Sequence, residues 1–387
     1  MVIKLSAKIL KIFCMNKFKI IILILVIDVI FTNLIFKNTS FWENQEWKKK
    51  WWRVSSPIYH HAILPNIDEI EKWGGSIEKR VITNSIGFFD KENRIVEKDS
   101  KSKKRLLLIG DSFIEGSGLP YESTVAGLLD SELNDEYEIL NSALGSYSPS
   151  IYFKKIEYFI NQGYKFDKAL VFLDVSDIFD ELFIKFDTNG NILTFEETKK
   201  TNNFKKYLYK LGRYLRDNTT TFRFFYILSD KTELFKNYLK LKIKTSKEIN
   251  KNFFKTTRDE VMFYRMTHID RGFWTYNSAK FQEVEIGLKQ AEQYLIKLFK
   301  LFKKNNIEST LIIYPWPTQI FYGDKFHQNY WEDFSKKNNI QFLSLYEKFN
   351  SNKKKEFIFE NFIYGDIHWN KNGTKLVFEF LVDNIKF

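Results

Sequence analysis

Five short apolar runs recur between residues 106 and 345, each separated from the next by a stretch with helical period. They are Leu106–Ile109, Tyr137–Ala143, Ala169–Leu173, Ser309–Tyr314 and Ile340–Leu345. Runs this short read as strands, and runs this apolar as strands with both faces covered. Such strands belong to parallel sheets, whose crossovers are helices. The segments between them supply predicted helices over about 123–133, 150–162, 279–304 and 327–337. The expected fold is α/β, a three-layer α/β/α sandwich around a parallel five-stranded sheet.

The first run passes directly into Gly110-Asp111-Ser112. Gly110 allows a sharp turn where a β-carbon would clash. Asp111 and Ser112 then stand at the carboxyl end of a strand, where open α/β sheets hold their ligands. A following helix would aim its first amides at Ser112, which suits a nucleophile and a developing negative charge. A plain helix cap accounts for this stretch equally well, since Asp and Ser are favoured caps. Near the carboxyl end stands Gly365-Asp366-Ile367-His368-Trp369-Asn370, ahead of a last apolar helix. A serine hydroxyl needs a base to attack, and a histidine beside a carboxylate is that base.

Gly-Asp-Ser after the first strand, with Asp and His paired near the C-terminus, resembles the SGNH/GDSL hydrolase family over roughly Thr83 to Phe387. The Asp-x-His-Trp spacing is most similar to the alginate O-acetyltransferase branch. The resemblance implies Ser112 as nucleophile, His368 as general base and Asp366 as the group orienting it. It also implies an oxyanion hole from the amides of Ser112 and Gly145, Gly145 closing the second strand. The family's usual third donor is an asparagine in Gly-x-Asn-Asp after the third strand. Here that stretch reads Asp174-Val175-Ser176-Asp177, so Ser176 with its shorter hydroxyl takes the position. Asn84, in Thr83-Asn84-Ser85-Ile86-Gly87, and Asp111 are candidate substrate contacts. No metal and no cofactor is expected. His60 and His61 are adjacent, but no Cys/His cluster accompanies them, and they are read as non-ligating.

Ahead of this domain, Ile20–Phe36 is an apolar run broken by Asp28, Thr32 and Asn33. As a helix it would measure about 25 Å, enough for a thin bilayer. No small-residue cleavage site follows, so an uncleaved single-pass anchor is expected over 1–37. Five basic residues flank it on either side, which leaves the positive-inside rule without a margin. The closer Lys17 and Lys19 and the long domain beyond favour a cytoplasmic amino terminus and an extracytoplasmic catalytic domain. Trp42, Trp47, Trp51 and Trp52 among lysines read as a stretch at the membrane interface, within a lead-in segment 38–100. Val54–Lys104 reads as polar and irregular.

The catalytic domain is expected over 101–387, with a basic helical insertion at 178–278. Residues 199–258 carry seventeen Lys and Arg against four Asp and Glu. That surplus exceeds the net charge of the whole chain, +12. The insertion would suit an anionic surface, either lipid headgroups or an acidic polysaccharide. No nucleic-acid motif is present, and the oligomeric state is open. The single cysteine, Cys14, excludes an intrachain disulfide. The expected function is a membrane-anchored serine esterase acting on O-acyl, most simply O-acetyl, esters of an envelope carbohydrate. Two alternatives stand: an O-acyltransferase using the same triad, and a degraded glycan-binding envelope protein.

Overall fold

The computed structural model describes residues 19–20, 22–36, 52–73, 77–100, 102–193 and 203–387. The chain divides into two compact units, one of residues 1–48 and 199–253, the other of 49–198 and 254–387.

The larger unit begins with two antiparallel ribbons. Strand β1 (Arg53–Ser56) pairs with β2 (His60–Ile63), and β3 (Asp68–Trp73) with β4 (Ile77–Ile82). Expecting irregular chain here was wrong, for a physical reason. The residues that β3 and β4 turn inward include Glu71 and Lys79, which face each other across the ribbon. With buried charges at inward positions, the apolar alternation that marks a strand is absent. Trp52, expected at a membrane interface, is instead buried in this unit's core.

The central sheet follows. Strand β5 (Lys104–Ile109) leads into the short helix α1 (Ser112–Glu115), then α2 (Val125–Leu133). Next come β6 (Tyr137–Asn141), α3 (Pro149–Asn161), β7 (Lys168–Leu173) and α4 (Val175–Glu181). After the second unit's segment come α5 (Arg258–Thr267), α6 (Ser278–Lys304) and β8 (Glu308–Ile313). Then follow α7 (Pro317–Tyr322), α8 (Phe326–Asn338) and β9 (Gln341–Ser344). Helices α9 (Lys354–Asn361) and α10 (Lys371–Asn384) close the chain. The strands are parallel, in the order β6-β5-β7-β8-β9.

The order reverses beside β5, because β6 pairs on one side of it and β7 on the other. Right-handed crossovers then put α2 on one face and α3 and α6 on the opposite face. Helix α3 packs against α6, and α2 against α10. Leu106, Leu107, Leu108, Leu170, Val171, Phe172, Leu311 and Ile312 are fully buried between the layers. Burying each such side chain contributes about 2 kcal/mol before the entropy of ordering it. The connections leave β5 and β7 in opposite directions, so the crevice lies at the carboxyl ends of those two strands, beside Ser112.

The expected insertion 178–278 is narrower in the structure. Helix α4 and residues 254–278 belong to the larger unit. In the smaller unit, residues 22–34 are helical, and helices span Asn203–Asn218 and Thr220–Glu248. Asp28 accepts from the amides of Thr220 and Thr221 at 3.0 and 3.2 Å, and Thr32 Oγ1 accepts from Thr220 at 2.9 Å. Asp28 therefore caps the start of the long helix, whose own Thr219 side chain makes no cap bond. Two of the residues that break the apolar run thus have a use. Among the described residues, no helix is long and apolar enough to cross a membrane. Residues 1–18, 21 and 37–51, which hold most of the flanking lysines, lie outside the described residues.

Candidate active site

The backbone turns so tightly after β5 that a β-carbon on Gly110 would come 2.8 Å from Ile114 Cγ1. The turn sets Asp111 as the cap of α1, its carboxylate accepting from the Phe113 amide at 3.0 Å. Ser112 follows in the first helical turn, whose N–H groups have no intrahelical acceptor.

The carboxyl-terminal loop is closed just as firmly. Ile363 N–H donates to the His368 carbonyl at 2.8 Å, and Asp366 N–H to the Ile363 carbonyl at 2.8 Å. Gly365 sits at φ +76°, where a β-carbon would meet Met262 Sδ of α5 at 2.8 Å. The loop brings His368 Nε2 to 2.8 Å from Ser112 Oγ. On its other side, His368 Nδ1 lies 2.5 Å from Asp366 Oδ1, which also accepts the His368 amide at 3.0 Å. Residues 256 apart in sequence so form one line of hydrogen bonds. Burial opposes ionisation of Asp366, but the hydrogen bond and charge of His368 outweigh it and hold the carboxyl below its ordinary range.

Aromatic rings fix the imidazole. Phe113 is tilted against it with centroids 4.8 Å apart, and Trp73 of β3 stands perpendicular at 5.3 Å. Such packing limits the rotamers open to His368 and shields part of the site from water.

The other expected members of the site are placed differently. The Gly145 amide lies beside Ser112, but it donates to Glu115 Oε2 at 2.7 Å. Ser176 is buried, and its hydroxyl donates to Asp174 Oδ1 at 2.9 Å. In this arrangement neither group faces a substrate carbonyl. Asn84 is fully buried and does not line the site. Its side chain donates to Asp90 Oδ2 at 3.0 Å and accepts from Phe88 at 3.1 Å, closing its own turn. Asp111 is buried as well, with Oδ2 at 3.0 Å from Ser112 Oγ and Oδ1 accepting from Tyr314 at 3.1 Å. Its contacts are with the Ser112 and Tyr314 hydroxyls and the Phe113 amide.

His61 and His60 turn toward each other, Nδ1 to Nδ1 at 2.7 Å, and His61 Nε2 bonds the Gly145 carbonyl at 2.9 Å. A carbonyl only accepts, so His61 carries its proton on Nε2 and His60 donates to His61. Burial lowers His61 to about 4, which keeps it neutral. Among the described residues, the one group with metal-ligand spacing is Asp111, Asp174 and Asp177, all buried.

Glu115, Arg53, His61 and Trp73 were not visible as site residues in the sequence. Glu115 carried one signal, standing three residues after Ser112 and so one helical turn along the same face. Arg53, His61 and Trp73 lie in ribbons that the sequence did not reveal.

No family model matches the sequence, and no curated protein matches it. Solved structures with an overlapping outline include an acetylxylan esterase from Geobacillus stearothermophilus, in a catalytic-mutant form. It is 12% identical with a TM-score of 0.38, over 74% of this chain and 96% of that one. A psychrotrophic esterase from Pseudoalteromonas sp. is 10% identical with a TM-score of 0.33, over 73% and 96%. A member of the lipolytic G-D-S-L family from Veillonella parvula is 11% identical with a TM-score of 0.36, over 73% and 98%. These likenesses are weak, and the functional reading rests on the geometry of the site.

Proposed function

We propose that this protein is a serine ester hydrolase of the SGNH/GDSL type, cleaving O-acyl esters of an envelope carbohydrate through an acyl-enzyme. The observation that carries the reading is the line Ser112–His368–Asp366, at 2.8 and 2.5 Å. His368 takes the Ser112 proton as Oγ attacks the ester carbonyl, then gives it to the departing alcohol. Asp366 keeps the proton on Nδ1 and stabilises the imidazolium. Water, deprotonated by His368, then releases the acid. The apolar helix near the amino terminus and the basic helical segment support attachment to a membrane, and the closer Lys17 and Lys19 ahead of that helix support an extracytoplasmic site.

The test is turnover of a nitrophenyl acetate by the full chain. Ser112→Ala should lower it by about 10³-fold or more while the fold is kept. Retention of most of the activity by Ser112→Ala would remove the assignment.

One observation favours a second reading. With Gly145 donating to Glu115 and Ser176 to Asp174, transition-state stabilisation falls largely to the Ser112 amide. A site so arranged suits slow turnover, transfer to a bound sugar hydroxyl, or glycan binding alone. Absence of Ser112-dependent chemistry on any ester, with or without an acceptor, would select binding.

A further inference from the structure

The hydroxyl of Ser112 has one proton and two neighbours that could receive it. His368 Nε2 is 2.8 Å away and Asp111 Oδ2 is 3.0 Å away. His368 Nδ1, 2.5 Å from Asp366, holds the ring's proton, so Nε2 of the neutral ring only accepts. The Ser112 proton therefore goes to His368, and the contact with Asp111 requires a proton on Asp111. We propose that Asp111 is held as the neutral acid and that its Oδ2–H donates to Ser112 Oγ. The inference rests on Ser112 being the nucleophile.

The surroundings support this. Asp111, Asp174 and Asp177 offer oxygens within 4.8 Å of one another in a buried site. Three adjacent buried carboxylates do not all ionise. Hydrogen bonds decide among them. Asp174 accepts four: the amides of Ser176 and Asp177, the Ser176 hydroxyl and Trp316 Nε1. It is the most fully hydrogen-bonded of the three. Asp177 accepts from the Asp174 amide and from Tyr152 of α3. Asp111 accepts from Phe113 and Tyr314 on Oδ1 alone, which leaves Oδ2 for a proton. The cation that acts on Asp111 is Arg271, which is paired with Asp180. Burial first, and the Asp174 charge second, push Asp111 well above the ordinary carboxylate range.

A neutral Asp111 matters twice. Before acylation it points the Ser112 proton at His368. In deacylation the bond between the acyl carbon and Oγ breaks. Oγ takes up the electron pair and then the proton held by the imidazolium. The Asp111 O–H supports that charge until the proton arrives. An ionised Asp111 would instead draw the Ser112 proton away from His368.

The test uses the full chain with Asp111→Asn and Asp111→Ala. The asparagine keeps a donor at the Oδ2 position and an acceptor at Oδ1 and does not ionise. Asp111→Asn should lower kcat about threefold, and Asp111→Ala about 10²-fold, the loss of a hydrogen bond to a charged oxygen. The wild-type rate should fall on the alkaline side as Asp111 ionises, and Asp111→Asn should lose that limb. Infrared spectra of the resting protein should show a carboxylic-acid carbonyl band that Asp111→Asn removes, whether or not the protein turns over ester. Equal losses in the two variants, an unchanged alkaline limb, or no band lost would each overturn the proposal. Full activity in Ser112→Ala would instead overturn the nucleophile assignment, leaving the infrared result to speak for Asp111 alone.

Discussion

The Glu115 carboxylate holds the Gly145 amide at 2.7 Å, one helical turn beyond Ser112. The same carboxylate receives the Arg53 guanidinium from β1, and Lys79 of β4 adds a second cation. His61 of β2 takes the carbonyl of the same glycine. The loop after β6 is thus gripped on both sides of Gly145 by groups from the amino-terminal ribbons. Those ribbons are part of the site's scaffold and not a spacer ahead of it.

Removing Arg53 tests that grip. Burial alone would raise Glu115, but the charges of Arg53 and Lys79 and the hydrogen bonds outweigh it and lower the carboxyl from 4.5 to about 2. A carboxyl depressed on folding stabilises the protein above its unfolded pKa, and that contribution is lost as pH falls through the folded value. The window therefore runs from about 4.5 down to about 2, and the contribution is about 3 kcal/mol. Arg53→Ala should destabilise the protein by about 3 kcal/mol at neutral pH, because it leaves a buried charge short of its partner. Urea unfolding at pH 7 and at pH 3 measures this. The gap between variant and wild type should shrink at the lower pH; a constant gap would mean that Arg53 acts through packing.

The sheet was legible because its central strands β5 and β7 and most of β8 are buried on both faces and so read as apolar runs, while the edge strand β9 is only half-buried. All five strands fall at the expected places, with boundaries shifted by a residue or two. The hydrogen-bonded line Ser112–His368–Asp366 was legible because glycines mark the turns that present it, Gly110 before Ser112 and Gly365 before Asp366. The hydrogen-bond partners of Gly145 and Ser176 were not. Which acceptor an amide or hydroxyl finds depends on Glu115 and Asp174, one of them neutralised by an arginine some sixty positions earlier in the chain. Charged ribbon strands and cross-chain pairs leave no periodic trace.

Trp73 supplies a test of substrate class. Its ring stands against His368 and against the Gly118 backbone, where a β-carbon would come 3.1 Å from Trp73 Cε3. In the proposed mechanism, where His368 protonates the departing alcohol, Trp73 borders the leaving-group side. The flat apolar face of an indole suits a sugar ring better than a small alkyl group. Trp73→Ala should raise KM for an acetylated oligosaccharide about fivefold, the worth of one aromatic contact. It should leave KM for methyl acetate within twofold, about the spread of a neutral surface change. Equal effects on both substrates would show that Trp73 serves only to hold His368.

The amino-terminal helix carries the localisation proposal. Ile22, Leu23, Ile24, Ile27, Ile30, Phe31 and Leu34 are exposed along it, an apolar surface large for a protein surrounded by water. The protein should sediment with membranes and resist extraction by salt. Removing residues 1–37 should also uncap the Thr220–Glu248 helix, since Asp28 and Thr32 go with them. The truncated protein should therefore lose helical signal from that segment, a cost of about 1 kcal/mol in capping alone. Protease added to intact spheroplasts should digest the catalytic unit. Digestion only after lysis would place the site in the cytoplasm and end the envelope-carbohydrate reading.

The choice between hydrolase and transferase turns on what reaches the acyl-enzyme. Both reactions share the attack by Ser112 and the base His368. A hydrolase admits water, whereas a transferase holds an acceptor hydroxyl where water would sit. Two donors that an oxyanion could use are engaged, Gly145 with Glu115 and Ser176 with Asp174. Losing one such donor typically costs about 10²-fold or more, so hydrolysis of simple esters should be slow. Ser176→Asn does not repair this. The Ser176 position is fully buried in the first turn of α4, and the larger side chain overpacks it at about 1–3 kcal/mol. That variant should be less stable and no faster on nitrophenyl acetate; a faster one would show that position 176 reaches the oxyanion. Adding a neutral or acidic oligosaccharide then separates the two reactions. A hydrolase yields free acid at an unchanged rate whatever sugar is present. A transferase accelerates with the acceptor and moves the acyl group onto it. The expected result is free acid alone, and mass spectrometry showing an acylated oligosaccharide, absent with Ser112→Ala, would assign the protein to transfer.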